Sequence, residues 1–202
     1  GKWLIQRNPD WQVLVVADPQ RWLTGRFAER LALIRYLRQT APPLAITLLE
    51  STWQQENTVQ QLAFLKVLDT GLNAEDEAFL ETQLDDKNQK IRAVAADLLA
   101  QLVESEYVGR MYQRVEECLY FQSGKLLIEL PEEISEAAER DGIQTSATRY
   151  VGGLKASYFG QLLARVPPDL WEIYFNQTAA ASLQLFLRSD WRTAVLPALI
   201  RA

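Results

Sequence analysis

Apolar positions along residues 24–117 recur with helical spacing and at a fixed longer step. Arg30 to Leu37 reads RLALIRYL, and Gln61 to Leu68, 31 positions later, reads QLAFLKVL. Leu31 falls on Leu62, Ala32 on Ala63 and Leu37 on Leu68, while Leu33 pairs with Phe64, Ile34 with Leu65 and Arg35 with Lys66. A further 31 positions reach Arg92 to Leu99, RAVAADLL, a looser copy that keeps Leu99 in the Leu37 position. The intervening segments hold the same step. Leu48, Leu49 and Glu50 fall on Phe79, Leu80 and Glu81, and Leu49 falls again on Met111. Each unit therefore reads as two helices, the first at about 26–38, 57–69 and 89–102, the second at about 43–53, 75–84 and 106–118.

Start and stop signals agree with these boundaries. Pro42 and Pro43 separate the first pair, and Pro43 suits an early helical position. Gly71 ends the helix at 57–69, and Asn73 can cap the acidic start Glu75, Asp76 and Glu77. Asp85, Asp86 and Asn88 offer caps before Ile91, and Ile91, Val94, Leu98, Leu99 and Leu102 form one apolar stripe. A two-helix unit of this length cannot bury both apolar faces alone, whereas stacked units can. The expected fold is all-α, an α-solenoid of right- or left-wound helical pairs; the alternative is an ordinary helical bundle.

Beyond residue 118 the pattern changes. Cys118 to Gln122 and Lys125 to Leu130 are short β-prone runs around Ser123 and Gly124, which predicts a small β-hairpin near 118–130. A helix continuing to Phe121 and followed by one strand is the alternative. Pro131 to Gly142 is acidic and turn-prone and reads as an exposed connector. Helical patterns return at about 147–165, 168–176, 178–188 and 191–201. Four segments follow: a Trp-rich start at 1–23, helical repeats at 24–117, hairpin and connector at 118–146, and C-terminal helices at 147–202. Gly1 precedes Lys2 with no methionine, and the chain stops within an apolar helix without a polar capping unit, so a longer natural protein is expected.

The stretch from Asp86 to Leu99 resembles the core of a HEAT repeat, with Asp86 before the helix and Arg92 six residues later. In that family such a pair forms a structural ladder between neighbouring units, and here only this unit has it. A closer resemblance covers about 22–145. It rests on Trp53 to Glu56, Gly71 to Glu81, Leu84 to Lys87 and Arg140 to Ile143. This is similar to an uncharacterised bacterial domain family with HEAT-like helices. The resemblance implies a longer protein, encoded near AAA-type ATPases and von Willebrand factor A-type proteins, with no assigned catalytic residue.

Composition narrows the chemistry. The 202 residues are 48% hydrophobic and 23% charged, which fits a globular chain and not a disordered one. There is no histidine, so the commonest general base and zinc ligand are missing. Cys118 is the single cysteine; it allows no internal disulfide, has no histidine to activate it, and reads as a small buried hydrophobe. One free thiol fits a reducing compartment, and a cytoplasmic location is expected. No run of about 18 apolar residues or signal peptide is visible. Net charge is −5 and uneven: residues 1–50 carry seven basic and four acidic side chains, and residues 51–106 carry four basic and eleven acidic ones. The acidic middle opposes a nucleic-acid footprint.

Candidate motifs reduce to few. Gly124 and Lys125 lack the remainder of a phosphate-binding loop, because Leu126 follows the lysine, and Gly152 and Gly153 lack a dinucleotide fingerprint. The pairs Glu75 to Glu77, Asp85 with Asp86, and Glu132 with Glu133 are carboxylate clusters; the first two sit at helix starts and read as solvated caps. Residues 117–123 resemble the recognition sequence of tobacco etch virus protease, a coincidence of composition. Trp3, Trp11 and Trp22 crowd the start and either form an aromatic contact surface or close one end of the helical stack. Arg26 and Arg30 lie one turn apart and could meet an acidic partner, a phosphate, or the acidic second unit. The expected function is a non-catalytic protein-interaction scaffold, with Trp11, Trp22, Arg26 and Arg30 as partner-binding residues and no cofactor or metal. Its expected partner is an AAA-type ATPase or von Willebrand factor A-type protein. Alternatives are a glycosylase-like enzyme acting on nucleic acid and a carrier of a pigment or cofactor.

Overall fold

A computed structural model describes residues 19–123, 125–145 and 153–199. Trp3 and Trp11, and most of the Trp-rich start, lie outside the described residues. The fold is mostly helical with one two-stranded antiparallel sheet. The chain divides into two compact units, residues 1–79 and 80–202.

In the first unit, α1 spans Pro19–Thr24, α2 Phe27–Thr40, α3 Pro42–Thr52 and α4 Thr58–Leu68, with 3-10 turns at Trp53–Gln55 and Ala74–Asp76. Helix α5, Glu77–Gln83, carries the chain across the boundary. Local chemistry sets each start. The Arg26 amide donates to Glu29 at 3.0 Å, one half of a capping box. Pro42 and Pro43 open α3. Asn57 accepts from the amides of Val59 and Gln60, and the Gln60 side chain accepts from the Asn57 amide. Helix α2 packs on α3 and α4, and Trp22, Ile34, Leu37, Leu49, Trp53, Phe64, Leu65 and Leu68 are buried.

A buried ion pair crosses this unit. The Arg38 guanidinium donates to both Asp76 carboxylate oxygens at 2.7 and 2.6 Å and to the carbonyls of Thr70 and Gly71 at 2.9 and 2.7 Å. Both residues are 1% exposed. The same carboxylate accepts from the Asn73 amide, so Asp76 caps its turn from inside the protein. This corrects the reading of Glu75, Asp76 and Glu77 as a wholly solvated cap. Gly71 has φ of +65°, and a Cβ there would stand 2.7 Å from the Arg38 carbonyl oxygen, so side chain and backbone conformation both demand glycine.

In the second unit, α6 spans Gln89–Leu99, α7 Glu106–Glu116, β1 Leu119–Gln122, β2 Lys125–Ile128 and α8 Glu136–Arg140. Then come α9 Gly153–Leu163, α10 Asp169–Phe175, α11 Ala179–Leu187 and α12 Arg192–Leu199. Asn88, Ser105, Ser135 and Thr178 each cap a following helix. Helix α9 is buried on every side from Ala156 to Leu163 and packs against α7 and α12, as expected of a helix without a polar stripe. The strands form the hairpin, with Leu119 opposite Ile128 and Gln122 opposite Lys125; Ser123 sits at φ of +52° in the turn, and Gly124 lies outside the described residues. Residues 131–142 are mostly exposed, as expected of a connector, but α8 forms there and Ala138, Asp141 and Gly142 are buried.

The 31-residue step survives in the elements. The first helices begin at Phe27, Thr58 and Gln89. Ile34, Leu65 and Ala96 are buried, as are Leu37, Leu68 and Leu99, and Leu49, Leu80 and Met111.

Removing either member of the Arg38–Asp76 pair strands a buried charge. Arg38→Ala and Asp76→Asn are each expected to cost about 3–5 kcal/mol, read as a lower midpoint in urea unfolding followed by circular dichroism. Glu75→Gln, its exposed neighbour, should unfold within about 0.5 kcal/mol of the parent.

Candidate functional site

The sequence-nominated residues come first. Trp22 is buried, and its indole N–H donates to Ser51 Oγ at 3.2 Å. The Arg30 guanidinium lies 4.1 Å from the Trp22 ring centre, donates to Thr52 Oγ1 at 2.8 Å and pairs with Glu56. These two side chains therefore hold α1 and α2 to the end of α3, and their contacts are internal. Arg26 is exposed at the start of α2. Trp11 lies outside the described residues.

The second unit holds a cluster of three carboxylates and three guanidinium groups. Asp141, buried to 1% exposure, accepts from Arg110 at 3.0 and 3.1 Å and from Arg140 at 3.2 Å, and pairs with Arg114 at 2.7 Å. Glu81 accepts from Arg110 at 2.8 Å, and Asp85 accepts from Arg140 at 2.7 and 3.1 Å. The Tyr107 hydroxyl donates to the Asp141 carbonyl at 2.9 Å, and burial pushes that hydroxyl up to about 12. Each carboxylate has a cationic partner, so the cluster fixes α8 to α5 and α7 and has no spare base. Among the described residues, no group of three side chains fit to ligate a metal stands together.

Asp86 and Arg92 meet through the backbone. Arg92 Nη1 donates to the Asp86 carbonyl at 2.8 Å, and the Asp86 carboxylate accepts from the Asn88 amide at 2.6 Å. The pair thus closes the entry to α6. Beside it lies a polar cleft of about 230 Å³ lined by Gln89, Arg92, Glu139, Gly142, Ile143 and Thr145, below the usual range for a small-molecule site.

The most accessible unusual chemistry is aromatic. A continuous array runs through α7, β1, α10 and α11. Phe121 meets Phe175 at 6.0 Å, Phe175 meets Tyr174 at 4.9 Å, Tyr174 meets Tyr112 at 6.3 Å, and Tyr112 stacks on Trp171 at 5.4 Å. Trp171 and Phe186 are buried, whereas Tyr112 and Tyr174 are half-buried and Phe121 is 53% exposed. Ile173, on the outer side of α10, is 75% exposed. Trp171 Nε1 is buried with no partner among the described residues. The array therefore begins in the core and ends in solvent.

The whole chain, residues 1–202, matches a family of unknown function, DUF5691. The chain belongs to this family. No curated protein and no solved structure matches it. Membership thus reaches beyond the residues 22–145 that carried the resemblance, to the start of the sequence and the helices after α8. No helix among the described residues is long and apolar enough to cross a membrane.

Two ionisations report on these contacts. The Arg140 guanidinium holds the Asp85 carboxyl below its usual 3.8. The stabilisation from this pair is therefore present above pH 3.8 and is lost as pH falls through the lower folded value. A carbon-detected NMR titration should give an Asp85 midpoint below 3.8 that returns towards it in Arg140→Gln. Burial pushes the Cys118 thiol up to about 11 from 9.0. The folded protein holds that proton more tightly, so stability falls as pH rises from 9 towards 11. Iodoacetamide labelling at pH 8 should be slow in the native chain and fast in urea.

Proposed function

We propose that this member of DUF5691 is a non-catalytic protein-interaction scaffold. The observation that carries the reading is the aromatic array of the second unit, which leaves Phe121 exposed, with Ile173 exposed separately on α10. Large apolar side chains contiguous with a packed core favour contact with another protein, where aromatic residues dominate the binding energy. The 31-residue recurrence of helix starts and buried positions supports a HEAT-like stacking of helical pairs into a solenoid. In this reading the partner is an AAA-type ATPase or a von Willebrand factor A-type protein in a bacterial cytoplasm, a choice that rests on the resemblance. Among the described residues, Arg26 is the one nominated contact residue whose side chain stands exposed.

Affinity capture of the full-length protein from its host, with mass spectrometry, tests the reading. One stoichiometric protein is expected, and it should be lost with Phe121→Glu combined with Ile173→Glu in a variant that melts like the parent. Recovery of nucleic acid or a small molecule without a protein would overturn it.

A further inference from the structure

Helix α7 presents two faces with opposite fates. Tyr107, Val108, Met111 and Val115 are buried. Arg110 and Arg114 turn to Asp141 and are neutralised there. The outer face carries Gly109, Tyr112, Gln113 and Glu116, spaced so that they lie one above another on the helix. Glu116 is exposed and has no ion pair among the described residues. Its charge pushes the hydroxyls of both Tyr112 and Tyr174 upward, burial adding the larger share, so the carboxylate stands near both rings. Those rings meet edge to face at 80°, and Trp171 backs Tyr112.

Gly109 is the informative residue. It sits inside a helix, where glycine is unfavourable relative to alanine, and a Cβ added there would meet nothing within 4 Å. Folding of the described residues gives no reason for it. A bare stretch of helix backbone one turn before the half-buried Tyr112 admits close approach by another chain. With Arg110 and Arg114 committed to Asp141 and Glu81, the unpaired charges on α7 and α10 near this corner include only carboxylates. Glu117 neighbours Glu116 on α7, α10 contributes Asp169 and Glu172, and α11 carries no charged side chain.

We propose that the corner formed by Gly109, Tyr112, Glu116 and Tyr174 docks a basic segment of a partner protein, with an arginine or lysine side chain held against the tyrosine rings and the Glu116 carboxylate. The inference rests on the scaffold reading and names its contact surface and the partner's chemistry. Cations are attracted to aromatic faces, and an adjacent carboxylate adds direct charge pairing. The open backbone at Gly109 lets the incoming chain lie close enough to reach both.

The test uses the full chain and a fluorescein-labelled peptide of alternating glycine and arginine, beside an equal-length peptide with citrulline in place of arginine. The arginine peptide is expected to bind in a salt-dependent way and to shift the ring signals of Tyr112 and Tyr174. Glu116→Gln should weaken it about tenfold. Gly109→Leu should also weaken it while raising the melting temperature, because the helix gains and only the notch is lost. That opposite movement separates a docking surface from a structural role. Equal affinity for the citrulline peptide, ring signals that do not move, or lower stability in Gly109→Leu would overturn the proposal. So would sedimentation showing that the chain self-associates through this face. A partner that is captured by the parent and retained by Glu116→Arg would sink this surface alone, whereas the absence of any captured protein would sink the scaffold reading itself.

Discussion

The first unit depends on a charge that has no route to water. Arg38 lies at the end of α2 and spends its guanidinium on Asp76 and on carbonyls of the segment that follows α4. Those carbonyls lie where a helix ends and leaves acceptors without intrahelical donors. One buried cation thus closes a helix terminus, aligns the cap of the next turn and fixes the path between them. The constraint propagates into backbone choice. Gly71 is needed because the chain must turn with positive φ while passing 2.7 Å, by Cβ position, from the Arg38 carbonyl. Well-packed apolar residues could match the pair for stability, yet they would not fix the path of this segment in the same way.

The second unit answers a similar problem with more charges and more solvent. Asp141 is buried, but the arginines that reach it are partly exposed and shared with Glu81 and Asp85. Part of the acidic middle of the sequence is committed within the protein: Glu56, Asp76, Glu81, Asp85 and Asp97 pair with arginines from both sides of that segment. Glu75, Glu104, Glu116 and Glu117 are exposed and form no ion pair among the described residues. Net charge by segment does not show this division between committed and uncommitted groups.

Periodicity made the repeat legible. Three of the matched sets, Ile34 with Leu65 and Ala96, Leu37 with Leu68 and Leu99, and Leu49 with Leu80 and Met111, are buried together, whereas Leu31 with Leu62 and Ala32 with Ala63 are not. Burial of one helix face depends on local spacing that a sequence displays. The hairpin and the buried Cys118 were legible for the same reason. Four features were not. Asp76 looked like an exposed cap since its partner lies 38 residues away. Residues 131–142 looked like a connector because α8 is short and acidic, and its order comes from Arg140 and Asp141 reaching distant groups. For Arg30 and Trp22 the sequence left partner contact and internal packing open, because the Trp22 ring and the Glu56 carboxylate that Arg30 meets lie apart from it in the chain. The aromatic array was equally hidden: its members come from four elements, and only Gly109 within a helical pattern hinted at the corner.

The reach of the Arg38 contacts also sets an order of events during synthesis. As the chain leaves the ribosome, α2 emerges long before Asp76 exists outside the exit tunnel, and its guanidinium must stay hydrated until then. The first helical pair therefore cannot complete this ionic contact while it is alone; it must wait for the first helix of the next pair and the start of its second. A nascent chain halted between these points would carry an apolar face and an unburied cation side by side, a composition suited to chaperone capture. The 31-residue unit is thus a unit of pattern, and the smallest segment able to complete this ionic contact is longer than one repeat.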